Sequence, residues 1–286
     1  MQLLNGNEVS KHIRQQIKAE VEQLKAAGKK TPHLAAILVG TDGASMTYVA
    51  AKEKDCTEVG FDSTVLRFDA TITEAELLAE VEKINNNPAI DGLIVQLPLP
   101  KHIDATKVTQ TIDWRKDVDG FHPMNVGLMF KGLPCFLPAT PMGVIKLIEH
   151  YNIPTTGQNC VIIGRSDIVG KPMSALMLQK NCTVTVCHSK TRDIEGVIRE
   201  ADIVIAALGI PEFVKASMIK EGAIVIDVGI TRVEDPTSKT GFRLKGDVKY
   251  DEVAEKASWI TPVPGGVGPM TRVGLLLNTL NAVKMK

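Results

Sequence analysis

Short apolar runs separated by stretches of helical periodicity recur along this chain, and they constrain its fold more than any other feature. LAAILV (Leu34 to Val39) and GLIVQL (Gly92 to Leu97) are continuous runs of the kind found in strands buried on both faces. STVLRF (Ser63 to Phe68) reads as a third strand between them. A helical stretch covers residues 45 to 59, and Thr73 with Glu76 has the spacing of a capping box, opening another helix through Leu77, Leu78 and Val81. Val9, Ile13, Ile17, Val21 and Leu24 recur at helical spacing before Gly28, so an amphipathic helix opens the chain. The β–α–β–α–β order predicts a parallel sheet covered by helices. QNCVIIG (Gln158 to Gly164) restarts the pattern, and TVTVCH (Thr183 to His188), DIVIAALG (Asp202 to Gly209) and AIVIDVG (Ala223 to Gly229) continue it. A second parallel α/β unit is therefore expected over about 138 to 262, in line with the usual size of a domain. The polar piece from Arg232 to Asp247 reads as an excursion or hairpin, and the tail carries Val273, Leu276, Leu280 and Val283 at helical spacing.

The composition narrows the class. Lys+Arg and Asp+Glu both number 33, so formal charge is zero and nothing suggests the basic face of a nucleic-acid binder. No apolar run approaches the roughly 20 residues of a membrane span. The start MQLLNGNEVSK lacks the charged-then-apolar order of a signal peptide. Five cysteines without a CxxC pair point to buried or free thiols, and so to a reducing cytoplasm.

Several places can carry chemistry. TPVPGGVGPMT (Thr261 to Thr271) packs three prolines and three glycines into eleven positions. Proline rigidifies backbone and glycine lets it approach a ligand, whereas an ordinary strand-to-helix turn needs only one or two such residues. Gly164 and Gly170 bracket a strand-to-helix turn where helix N–H groups can meet a phosphate, although the spacing is not GxGxxG. An NAD site usually has an acid at the next strand end; here stand His188, Ser189, Lys190, Thr191 and Arg192. Arg165, Ser166 and Ser189 have the cationic and hydroxyl groups that a ribose 2′-phosphate needs, which favours NADP over NAD. A solvated polar turn has the same composition.

Ser45, Tyr48 and Lys52 share one helix face, with Tyr48 and Lys52 close enough for hydroxyl to meet ammonium. A surface lysine beside a half-buried tyrosine would show the same spacing. Gln96 ends a buried strand, where α/β sheets bind ligands. Asp117, Asp119 and Gly120 resemble the start of a calcium loop, but its closing acid is replaced by Leu128, and His122 and His188 are isolated; no metal is expected.

Seven stretches together resemble the bifunctional methylenetetrahydrofolate dehydrogenase/cyclohydrolase family. They are SMTYVAAKEKDC (Ser45 to Cys56), DGLIVQLPLP (Asp91 to Pro100), KDVDGFHPMNVG (Lys116 to Gly127), GRSDIVGKPMS (Gly164 to Ser174), VTVCHSKT (Val184 to Thr191), DVGI (Asp227 to Ile230) and TPVPGGVGPMT. The resemblance implies an α/β fold of two parallel-sheet domains, the second Rossmann-like, flanking a cleft. Residues 1–137 plus 269–286 would form a folate-binding catalytic domain and 138–268 an NADP-binding one, with the tail helix crossing back to the first. It further implies Lys52 as the central catalytic residue, assisted by Tyr48 and Gln96. Asp119 would bond the pterin, while Ser45, Leu97, Pro264, Gly265 and Gly266 would complete the folate site. Gly164, Arg165, Ser166, Ser189 and Ile230 would bind NADP, and a cytoplasmic homodimer would result.

Two positions depart from many members of that family: Ala139 replaces a cysteine, and Asp167 replaces an asparagine beside the expected phosphates. The implied reaction oxidises 5,10-methylenetetrahydrofolate to the methenyl form with NADP, then hydrolyses it to 10-formyltetrahydrofolate. Such chemistry needs ring alignment and a positioned proton carrier rather than a metal. Two alternatives remain at this point: an NADP-dependent dehydrogenase of a small acid or amino acid, and a binding protein that has lost its chemistry.

Overall fold

In a computed structural model that describes residues 1–238 and 241–285, the chain begins with β1 (Gln2–Leu3), α1 (Gly6–Ala26), β2 (His33–Val39) and α2 (Gly43–Val59). It continues through β3 (Asp62–Phe68), α3 (Glu74–Asn85) and β4 (Gly92–Val95) to three helices, α4 (Ala105–Thr111), α5 (Pro123–Phe130) and α6 (Ala139–His150). Next come β5 (Asn159–Ile163), α7 (Gly170–Gln179), β6 (Thr183–Cys187), α8 (Ile194–Arg199), β7 (Ile203–Ala206) and β8 (Ile224–Asp227). The excursion is an antiparallel hairpin of β9 (Thr231–Glu234) and β10 (Phe242–Lys245), while residues 239 and 240 of the polar piece lie outside the described residues. Then follow α9 (Tyr250–Ala254), β11 (Trp259–Ile260) and α10 (Val267–Lys284).

Two compact units result: Lys11–Ala139 with Arg272–Lys286, and Met1–Ser10 with Thr140–Thr271. The first holds a parallel sheet ordered β3-β2-β4, in which Ala36 faces Val65 on one side and Ile94 on the other. Because β2 is central, Leu34 to Val39 are all buried, which explains the unbroken apolar run. Ala35, Ile37 and Val39 pack with Leu93 and Val95 of β4 against Leu77, Val81 and Ile84 of α3. That helix starts at a true capping box: Thr73 Oγ1 accepts the Glu76 N–H at 3.3 Å, and the Glu76 carboxylate accepts the Thr73 N–H at 2.9 Å.

The second unit holds six parallel strands ordered β1-β11-β8-β7-β5-β6. β5 lies between β6 and β7, so the winding reverses there, the switch point of an open α/β sheet. The first ten residues belong to this unit because Gln2 and Leu3 pair with Trp259 and Ile260. A two-residue strand is too short to leave a periodic signature, and α4, α5 and α6 likewise were not among the elements that the pattern revealed.

Polar groups fasten the three-stranded unit internally. Arg272 of α10 grips Asp55 of α2 through two parallel bonds, with Nε at 2.5 Å from Oδ2 and Nη2 on Oδ1. The Asp55 side chain is 2% exposed, so the guanidinium is what compensates its charge. Further along α10, Asn278 Nδ2 donates to the carbonyls of Val118 and Leu137 at 2.7 and 2.8 Å. This holds the 116–120 loop, where Lys116 Nζ donates to the Ile84 and Asn87 carbonyls, both at 2.7 Å. Asp117 Oδ2 accepts the His122 N–H at 2.8 Å and Asn125 Nδ2 at 2.9 Å. Desolvation outweighs these bonds and, with Asp119 adding repulsion, pushes the Asp117 carboxyl up to about 7. Gly120 closes the loop at φ +74°, where an added Cβ would lie 2.6 Å from the Leu137 carbonyl carbon.

Two outcomes are expected. Arg272→Ala strands a buried carboxylate and should cost about 3 kcal/mol, read as a lowered urea midpoint at unchanged slope. The Asp117 carboxyl is raised from 3.8 to about 7, so between those values the folded chain binds more protons than the unfolded one. Its stabilisation is full below the lower value and is lost as pH rises through the upper one. Asp117→Asn mimics the protonated group and should flatten the fall of stability between these limits; an unchanged slope in a pH series of denaturant melts would exclude this origin.

Candidate active site

In the three-stranded unit the site is built where β4 ends. The Gln96 N–H donates to the Ile37 carbonyl at 2.9 Å, which places this residue one step beyond the strand. Its Nε2 donates to the Leu97 carbonyl at 2.7 Å, so the amide oxygen is the atom left to face α2. Lys52 Nζ donates to that oxygen at 3.4 Å. One turn earlier on α2 stands Tyr48, with the Lys52 ammonium 5.4 Å from its ring centre. The ammonium thus meets the ring rather than forming the hydroxyl contact that the spacing suggested, a cation–π arrangement.

Tyr48 is 42% exposed, and its hydroxyl is raised by desolvation, with Arg272 opposing and Asp119 adding to the shift. Desolvation also raises the Asp119 carboxyl, against the pull of Lys52. Lys52, Gln96, Tyr48 and Asp119 therefore act on one another within this unit. Ser45 is buried, and its N–H is capped by Asp42 at 2.8 Å, which starts the helix that aims Tyr48 and Lys52. Leu97 is half-buried and joined to Pro98 by a cis peptide bond.

Cys56, on the turn after Lys52, is a buried thiol pushed up to about 12, first by desolvation and then by Asp55 and Glu53. Such a thiol is no nucleophile. Asp55 lies inside the Ser45–Cys56 stretch and Arg272 directly after the Thr261–Thr271 stretch, yet neither stands out as a site residue in the sequence. Nothing in a pattern of residue types shows that two positions so far apart will pair.

In the six-stranded unit, Gly164 follows β5 at φ +124°, and a Cβ there would lie 2.1 Å from the Ala207 carbonyl oxygen. A Cβ on Gly170 would lie 2.2 Å from the Gly164 oxygen, so strand end and helix start pack backbone on backbone. Ser166 Oγ accepts the Val169 and Gly170 N–H groups at 3.2 and 3.3 Å, closing the turn into α7. Arg165, Ser166 and Ser189 are all exposed, at the carboxyl ends of the adjacent strands β5 and β6. Asp167 is paired with Lys171 at 2.5 Å, so its departure from the family pattern adds little bare charge. The β6 end forms a tight turn in which His188 N–H donates to Thr191 Oγ1 at 2.9 Å and His188 Nδ1 accepts the Lys190 N–H at 3.1 Å. Cations and hydroxyls without a carboxylate at this strand end fit a 2′-phosphorylated dinucleotide.

Ile230 is 54% exposed beyond β8. Pro264, Gly265 and Gly266 also lie in this unit, between β11 and α10. Gly265 has φ +105°, and its carbonyl accepts the Asn7 N–H at 3.1 Å. A Cβ on Gly6 would lie 1.7 Å from the Gly266 oxygen, so the loop is pressed onto the start of α1.

Comparison with known proteins matches two family domains along the chain. Residues 4–119 match the tetrahydrofolate dehydrogenase/cyclohydrolase catalytic domain, and 138–286 match the NAD(P)-binding domain of the same family. A protein of Phocaeicola vulgatus described as bifunctional protein FolD is 60% identical over 99% of this chain and 98% of its own length. The crystal structure of the bifunctional methylenetetrahydrofolate dehydrogenase/cyclohydrolase from Campylobacter jejuni superposes with a TM-score of 0.95 at 46% identity, covering 100% of this chain and 99% of the other. The Trypanosoma brucei dehydrogenase-cyclohydrolase, solved with NADP cofactor and inhibitor, gives 0.93 at 39% identity, covering 98% and 96%. The chain belongs to the tetrahydrofolate dehydrogenase/cyclohydrolase family.

Proposed function

We propose that this chain oxidises 5,10-methylenetetrahydrofolate to the 5,10-methenyl form with NADP and hydrolyses that product to 10-formyltetrahydrofolate. The observation that carries this reading is Lys52, hydrogen-bonded by Gln96 at the carboxyl end of a buried strand and flanked by Tyr48 and Asp119. Lys52 Nζ has its charge held beside an amide oxygen and an aromatic ring, a position from which it can pass a proton to and from water at the substrate's one-carbon bridge. Gln96 orients that ammonium and keeps it extended. Tyr48 shields it from solvent on one side, and its raised hydroxyl stays protonated as a donor.

Asp119 is the proposed hydrogen-bond partner of the pterin, its carboxyl raised by desolvation and so suited to sharing a proton with a ring nitrogen. Ser45, Leu97, Pro264, Gly265 and Gly266 complete the proposed folate site. Gly164, Arg165, Ser166, Ser189 and Ile230 are proposed to hold NADP, with Arg165 and the two serines on the 2′-phosphate. NADP, when bound, accepts the hydride. No metal is proposed for either step.

Dehydrogenation of a small acid or amino acid is not favoured, because the matched family domains and the full-length relatives are folate enzymes. The reading includes a cytoplasmic homodimer without a nucleic-acid partner. Balanced charge and five unpaired thiols agree with it, and the dimer rests on the resemblance. Among the described residues no helix is long and apolar enough to cross a membrane.

Two measurements on one preparation test the site. Lys52→Met keeps the apolar stem and removes the charge; methenyl hydrolysis should fall at least ~10²-fold, on the scale of lost acid–base catalysis, while NADP reduction survives better. Hydrolysis at the wild-type rate would remove Lys52 from the mechanism. Arg165→Ala should weaken NADP by about 1.5–3 kcal/mol, the worth of a charge-assisted bond, and NAD far less. Equal losses for both cofactors would show that Arg165 does not read the 2′-phosphate.

A further inference from the structure

Three strand ends of the six-stranded unit are tied together by two buried carboxylates to which the proposed chemistry assigns no role. Asp227 closes β8 and is 3% exposed; Asp247 lies just past β10 and is fully buried. Immediately after β7, the N–H groups of Leu208 and Gly209 donate to Asp247 Oδ2 at 2.7 and 2.9 Å. Asp227 Oδ1 accepts the Gly229 N–H at 2.9 Å and the Asp247 N–H at 3.0 Å, and its Oδ2 accepts the Val248 N–H at 3.0 Å. The Asp227 N–H itself donates at 2.7 Å to Oγ1 of Thr261, the first residue of the proline- and glycine-rich loop.

Glycines make room for both acids. A Cβ on Gly229 would stand 2.2 Å from Asp247 Cγ, and one on Gly246 1.9 Å from Asp227 Oδ2. Burying two acids side by side is costly: desolvation, with Asp247 contributing, pushes the Asp227 carboxyl up to about 7. A packing role alone would be met by apolar side chains of similar volume. What an apolar residue cannot do is accept five backbone N–H groups from the β7, β8 and β10 ends.

An open α/β sheet binds a dinucleotide across its switch point, one nucleotide on each side. The proposed 2′-phosphate ligands, Arg165, Ser166 and Ser189, stand at the β5 and β6 ends. The β7 and β8 ends, with Gly209 and Ile230, are therefore left for the nicotinamide half. We infer that Asp227 and Asp247 are positioning residues that fix the Leu208–Gly209 and Gly229–Ile230 backbone in advance, so that the nicotinamide half of the cofactor meets a preformed surface. This rests on the NADP reading above. It adds that two acids expected to touch neither substrate nor cofactor set the affinity for one half of that cofactor.

The test separates the halves. Asp247→Ala should raise KM for NADP about tenfold, the equivalent of one charge-assisted hydrogen bond, with a smaller change in kcat at saturation. Binding of adenosine 2′,5′-bisphosphate, which carries only the phosphoadenosine half, should change less than about twofold, and Asp247→Asn, which keeps an acceptor oxygen, should restore most of the NADP affinity. Equal losses for fragment and whole cofactor would reveal a general loosening of the domain and overturn the inference, as would an unchanged KM. Should Asp247→Ala not fold, amide hydrogen exchange on the wild-type protein decides: slow exchange at Leu208, Gly209 and Gly229 without cofactor supports a preformed surface, and fast exchange refutes it. If the wild-type protein binds neither NADP nor the fragment, the cofactor reading itself falls. If it binds both and only the variant's expected loss is missing, the positioning role alone falls.

Discussion

All strands of the two larger sheets run in one direction, and the sites of this protein follow from that constraint. Parallel strands need a crossover to carry the chain back over the sheet, so their carboxyl ends all open on the same edge, into a helix after β2, β3, β5 and β6 and into the hairpin after β8. Ladder bonds stop there, and the next side chains and N–H groups become available to something else. Gln96 after β4, Gly164 after β5, Ser189 after β6, Gly209 after β7, Ile230 after β8 and Thr261 after β11 all occupy such positions. In the six-stranded unit the reversal of winding at β5 then separates neighbouring turns and leaves room for a flat ligand.

Buried charge imposes a second constraint, and the chain meets it differently each time. Asp55 receives a guanidinium in two parallel bonds. Asp91, fully buried, accepts Lys30 at 2.7 Å and the His33 N–H at 3.1 Å, which ties the loop before β4 to the start of β2. Lys116 is held by carbonyls at the end of α3, where the helix dipole favours a cation. Asp117 and Asp227, which meet no cation among the described residues, are raised to about 7. Arg272, committed to Asp55, brings α10 against α2 one turn from Lys52, so the ion pair braces the helix that aims the proposed catalyst. The Asp117 bonds in turn hold the loop that presents Asp119.

The elements that recur with a clear period were legible in advance. β2 and β4 showed as unbroken apolar runs because both faces are covered, and α3 announced itself through the Thr73–Glu76 box. The turn at Gly164 and the cationic, acid-free end of β6 point to a phosphorylated dinucleotide from residue order alone. The helix face shared by Ser45, Tyr48 and Lys52 was equally visible. Its meaning was not: the same spacing fits a surface lysine, and only Gln96 across the turn shows what the ammonium faces. β1 is two residues long, too short for a period, and exists because it pairs with β11 from the far end of the chain.

Residue order by itself determined the class of fold, the restart of the pattern near Gln158, the candidate residues and, through seven stretches in register, the family. These are consequences of short-range physics: burial alternates or persists over a few residues, caps act over three, and a turn's glycine is needed where the chain bends. Tertiary structure alone decided that Asp55 meets Arg272, that Asp227 and Asp247 join three strand ends, that the first ten residues complete the second sheet, and that Lys52 rests on an amide and a ring. Each of these joins positions far apart in the chain. The free energy of such a contact depends on desolvation and geometry that exist only once the intervening chain has folded, so no local pattern can encode it.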